Sequence, residues 1–105
     1  MVFIDDRSDD RTGELLREYL ESFEGKYKEK VKIIINEERK MAMPNLRYAA
    51  INECQENELF VIIDGDDALI GRQVFKLFSA VMQQKNLWVM WTNFLSPKGT
   101  IGYSR

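Results

Sequence analysis

The stretch Leu59-Phe60-Val61-Ile62-Ile63-Asp64-Gly65-Asp66-Asp67 decides the fold class. Five apolar residues without a polar break mark a strand buried on both faces, as in a parallel sheet covered by helices. The run stops abruptly in acidic residues, and Ile70, Val74, Leu77, Phe78, Val81 and Met82 then recur at helical spacing. Strand, acidic turn and amphipathic helix in that order form the repeating unit of an α/β protein.

Outward from this stretch the same alternation continues. Val2-Phe3-Ile4 is a short strand running into Asp5-Asp6. A polar loop extends to Gly13, with Asp9, Asp10 and Thr12 as candidate helix caps. Leu15, Leu16, Tyr19, Leu20 and Phe23 follow at helical spacing, Gly25 supplies a stop, and residues 26–30 read as a solvated connection. Val31-Lys32-Ile33-Ile34-Ile35 is β-branched and predicts a second strand ending at Asn36. Pro44 suits the first position of the next helix, whose apolar side is Leu46, Ala49, Ala50 and Cys54. Leu87-Trp88-Val89-Met90-Trp91 predicts a fourth strand, Ser96-Pro97-Lys98-Gly99 a turn, and the last residues the start of another strand. The expected architecture is a Rossmann-like three-layer sandwich: one domain over residues 1–105 with a mostly parallel sheet of about four strands.

Composition narrows the chemistry. The chain has 105 residues, a formal net charge of −2 and 45% apolar residues, a balance with no polyanion-binding signature and hence no expected nucleic-acid partner. Cys54 is the single cysteine, which excludes an intrachain disulfide and reads as a buried thiol. Histidine is absent, so Ser-His and Cys-His catalysis and imidazole-bound zinc are excluded. No apolar run approaches the ~18–20 residues of a membrane helix. Tyr19, Phe23, Phe75 and Phe78 are expected in the core. Trp88 and Trp91 on one short strand fit either core packing or an exposed stacking surface.

Acidic residues gather where two predicted strands end, Asp5 and Asp6 after the first and Asp64, Asp66 and Asp67 after the third. Parallel pairing would bring both groups to the carboxyl edge of the sheet, where α/β proteins bind ligands. Converging carboxylates need a cation or a shared proton. Oxygen-only ligands favour Mg²⁺, Mn²⁺ or Ca²⁺, with phosphate oxygens completing the coordination. A lone Asp-x-Asp also occurs as a turn, and Asp67 reads equally as a cap of the following helix.

Asp5-Asp6-Arg7-Ser8-Asp9-Asp10-Arg11-Thr12 resembles the Asp-Asp-Gly-Ser-Thr-Asp-x-Thr segment of family 2 glycosyltransferases of the GT-A fold. The strand ending in Asn36, the Asn45-bearing helix and Asp64-Gly65-Asp66-Asp67 match that family in order, over roughly Val2 to Phe94. The resemblance implies a donor site for a UDP- or GDP-sugar. Asp6, or else Asp5, would accept from the base N–H, and Asp64 would meet the ribose or the base-side phosphate. Asp66, with Asp64, would hold Mn²⁺ or Mg²⁺ on the diphosphate, and Arg39 or Lys40 would contact phosphate. The catalytic residue and the acceptor are not identified.

The chain also departs from the family. Arg7 replaces a glycine, the loop after Asn36 lacks the usual glycine, and Pro44-Asn45 stands where Arg-Asn is common. The family's opening strand, which lies between the strands ending at Asp6 and Ile63, and its acceptor region have no counterpart. The expectation is therefore a partial donor-binding region, inactive alone, from a parent transferase that is cytoplasmic or attached to a membrane surface through other segments. A non-catalytic nucleotide- or metal-binding module is the alternative. An aspartate-nucleophile phosphotransferase is a third reading, disfavoured because Asp67-Ala68 follows the motif where Thr or Val is usual.

Overall fold

The computed structural model describes residues 1–85, 87–92, 94–96, 99, 101 and 102. The chain divides into two compact units, Met1–Phe60 and Val61–Arg105.

The first unit contains β1 (Val2–Asp5), α1 (Thr12–Glu21), a 3-10 turn (Gly25–Lys30), β2 (Lys32–Ile35) and α2 (Ala42–Asn52). Strands β1 and β2 pair in parallel, with Val2 opposite Lys32 and Asp5 opposite Ile35. The Lys32 N–H donates to the Met1 carbonyl and the Asn36 N–H to the Asp5 carbonyl, both at 2.9 Å, so the ladder is closed at each end.

Side chains alternate across this ribbon. Phe3 and Ile33 line an apolar groove with Leu16, Tyr19 and Leu20 of α1 and with Phe23 just beyond its end. Ile4 and Ile34 line a cleft with Asn45 and Tyr48 of α2. Helices thus flank both faces, and α2 is tied further by Lys32 Nζ to Glu53 Oε1 at 2.6 Å.

Several local expectations change. Residues 26–30 belong to the 3-10 turn rather than an irregular connection. Helix α2 begins at Ala42, which makes Pro44 its third residue rather than its first. The N–H that Pro44 lacks is still without hydrogen-bond cost, because the first four helical N–H groups have no intrahelical partner. Arg11 is the positional N-cap of α1, while Asp10 Oδ1 accepts the Thr12 N–H at 2.9 Å. Ala49 is buried, whereas Cys54 is only half-buried. Tyr19 and Phe23 form an edge-to-face pair at 4.9 Å, but both rings remain exposed rather than in a core.

The second unit contains α3 (Val74–Lys85) and a short antiparallel pair, β3 (Phe94–Leu95) and β4 (Ile101–Gly102). The Gly99 N–H donates to the Ser96 carbonyl at 2.8 Å, as the expected turn requires; Pro97 and Lys98 lie outside the described residues.

The larger correction concerns the sheet. The chain is α/β with a parallel sheet, but among the described residues that sheet has two strands rather than about four. Leu59–Ile63 and 87–91 are not strands, and Leu59, Phe60, Ile62, Ile63, Trp88 and Trp91 are exposed. A strand exists through its ladder, and no described strand pairs with either run. Apolar β-branched composition supplies the propensity without the partner. Phe75 is likewise exposed and Phe78 half-buried rather than in a core. Among the described residues, no helix is long and apolar enough to cross a membrane.

One close approach fixes how α1 meets the ribbon. A Cβ on Gly13 would stand 2.8 Å from Asp5 Oδ2 and 2.8 Å from Ile35 Cδ1. The Ile35 methyl can rotate away, but the Asp5 carboxylate is held by the Ser8 N–H at 2.9 Å. Overpacking costs ~1–3 kcal/mol, against ~1 kcal/mol gained in helix propensity. Gly13→Ala is therefore expected to lower stability by about 1 kcal/mol net, read from the urea midpoint; an unchanged or higher midpoint contradicts the packing.

Candidate functional site

The carboxyl ends of β1 and β2 carry the site of the first unit. Asp5 is buried, its Oδ1 accepting the Ser8 N–H at 2.9 Å and its Oδ2 against the first turn of α1.

Asp6 points into the loop that follows β2. Its Oδ1 accepts from Asn36 Nδ2 and from the Lys40 N–H, each at 2.8 Å. Its Oδ2 accepts the Met41 N–H at 2.8 Å. Asn36 Nδ2 also donates to Asn45 Oδ1 at 2.9 Å, which carries the network into α2. Led by the Lys40 backbone N–H, and helped by the carboxamides of Asn45 and Asn36 and the Met41 N–H, these donors hold Asp6 well below the usual carboxylate range. A carboxylate offers about four lone-pair positions. Among the described residues three donors lie within hydrogen-bond distance, two on Oδ1 and one on Oδ2, with the Asn45 carboxamide a further favourable neighbour.

Two backbone conformations flank this network. Arg7, at the position of the glycine it replaces, has φ 62°. Met41 has φ 68° and ψ 171°, a region populated almost solely by glycine. Met41 is held in this conformation by its own N–H on Asp6.

Arg39 lies on the same loop, with a guanidinium nitrogen 3.7 Å from Asp9 Oδ2 and both side chains exposed. Such a pair contributes little, so the guanidinium is available to a ligand. Beside the network, a cleft of about 370 Å³ is floored by Ile4, Ile34 and Tyr48 and rimmed by Asn36, Lys40 and Asn45. Asp5, Asp6 and Arg39 thus share one edge of the first unit.

Asp64 and Asp66 belong to the second unit. The Asp67 N–H donates to the Asp64 carbonyl at 3.0 Å, closing a turn in which all three aspartates are exposed. Asp67 does not cap α3, which begins at Val74. Among the described residues no three His, Cys, Asp or Glu side chains gather closely enough to hold a metal ion. The donor chemistry is nevertheless that of a hard divalent cation, which takes one or two carboxylates and fills its other positions with water and phosphate oxygens.

Glycosyl transferase family 2 matches residues 1–100 of the chain. The chain belongs to that family. No curated protein and no solved structure matches it. Membership implies a nucleotide-sugar donor and an acceptor in general terms, together with a GT-A type of α/β domain.

Sequence reasoning missed the three groups that hold Asp6: the Asn36 carboxamide and the Lys40 and Met41 N–H groups. The available signal was Asn36 itself, a polar residue ending an apolar strand directly beside a paired Asp-Asp.

Strain at Met41 of ~1–3 kcal/mol exceeds the ~0.5–1 kcal/mol of unfolded-state entropy that glycine brings. Met41→Gly should raise stability by about 1 kcal/mol, measured by denaturant titration; a loss would show that the side chain contributes packing that exposure does not suggest. The Asp6 network also sets an acid response. A carboxylate with a depressed folded-state pKa stabilises above its ordinary value of 3.8, and that contribution is lost as pH falls below it. Wild-type stability should therefore decline below this point more steeply than that of Asp6→Asn, and parallel pH profiles of the two would contradict the network.

Proposed function

We propose that this chain binds the nucleotide-diphospho-sugar donor of a metal-dependent glycosyltransferase. The observation that carries the reading is Asp6: an anchored, ionised carboxylate at the carboxyl end of a parallel strand, whose Oδ2 accepts a single hydrogen bond among the described residues. Uracil and guanine each offer a ring N–H to such an acceptor, which favours a UDP- or GDP-sugar. Asp5 is the less suitable of the pair, because it is buried against Gly13 and engaged by Ser8.

In this reading Arg39 supplies a guanidinium to the phosphates, for which its planar fork is well matched. Asp64 meets the ribose or the base-side phosphate. Asp66, with Asp64, holds Mg²⁺ or Mn²⁺. When bound, that ion supplies charge stabilisation to the departing diphosphate. The chain's own contribution is binding and orientation of the donor; no described residue is assigned as the base that activates an acceptor.

Calorimetric titration of the full chain with UDP and GDP, with and without Mn²⁺, tests the proposal. Nucleotide binding strengthened by Mn²⁺, with the Mn²⁺-dependent part lost in Asp66→Ala, is the expected result. Failure of both nucleotides to bind under either condition overturns it.

A further inference from the structure

We propose that Asn36 is a positioning residue for the donor: one carboxamide nitrogen holds Asp6 and Asn45 together and fixes the direction in which Asp6 presents Oδ2, which accepts a single hydrogen bond among the described residues. The inference rests on the reading of Asp6 as the base contact and extends it to a residue that touches no ligand.

Asn36 is suited to this by burial and by geometry. It is 7% exposed, and its backbone N–H is pinned to the Asp5 carbonyl at 2.9 Å. Its Nδ2 donates at 2.8 Å to Asp6 Oδ1 and at 2.9 Å to Asn45 Oδ1. An amide nitrogen has two hydrogens in one plane, so both donors are spent and the plane is set. With the Lys40 N–H added at 2.8 Å, Asp6 Oδ1 is saturated. A ligand N–H is thereby confined to Oδ2, beside Met41.

A purely structural role would make Asn36 a stitch between β2 and α2 and nothing more. The two roles differ in electrostatics. The charged or titratable side chains on the surrounding segments are Asp5, Arg7, Asp9, Asp10, Glu37, Glu38, Arg39, Lys40 and, on α2, Arg47 and Tyr48. Among the described residues none of them hydrogen-bonds the Asp6 carboxylate through its side chain; neutral amides do. Removing the Asn36 donor should therefore move the titration of Asp6 upward. Asn36→Asp keeps the shape but sets two carboxylates together, one of which must then hold a proton.

The experiment compares the full wild-type chain with Asn36→Ala and Asn36→Asp. It reads the Asp6 carboxyl ¹³C shift against pH, and UDP and GDP affinity from pH 4 to 8. In Asn36→Ala the Asp6 titration should move up and nucleotide binding should weaken about tenfold, the scale of one misdirected charge-assisted hydrogen bond. In Asn36→Asp binding should be weaker still at pH 7 and recover as the pH falls. An Asp6 titration unchanged in Asn36→Ala, or a loss of binding independent of pH, overturns the inference. Should Asn36→Asp not fold, Asn36→Ala still decides it. If the wild type binds neither nucleotide, the functional reading and the ligand half of this inference both fail, while the Asp6 titration alone decides whether Asn36 holds the carboxylate.

Discussion

The first unit depends on a single carboxylate. Asp6 joins the end of β1 to the loop after β2 through Asn36, Lys40 and Met41, and through Asn36 to the start of α2. A two-stranded parallel ribbon is marginal by itself. Here its carboxyl end is closed by hydrogen bonds to an ionised group, which are shorter and stronger than neutral ones. The same group sets the position of the loop that carries Arg39.

Strain follows from that closure. The Met41 backbone turns into a glycine-like conformation to direct its N–H at Asp6, and Arg7 adopts a left-handed φ as the chain leaves the strand. Each is tolerated where the surrounding bonds over-determine it. The cost is stability, since both positions retain an unfavourable conformation.

The apolar runs after α2 show what the same physics does without a partner. Leu59–Ile63 has the composition of a buried strand, yet it stays exposed and makes no ladder among the described residues. Trp88 and Trp91 are more exposed still. An apolar run records how a segment behaves once covered. It does not supply the neighbour that covers it.

Much was legible in the sequence because it depends on local chemistry. Alternating apolar runs predicted β1, α1, β2, α2 and α3, and the paired Asp-Asp at a strand end marked the edge where the site lies. The absence of histidine and the single cysteine excluded whole classes of chemistry without any coordinates. Tertiary structure alone decided which predicted strands found partners, since a ladder joins residues distant in sequence. It also decided that Asp5 is buried against Gly13 while Asp6 turns to the loop, although the two are adjacent and chemically identical. Their division of labour comes from strand alternation and from the donors that each meets across the fold, neither of which is written at positions 5 and 6.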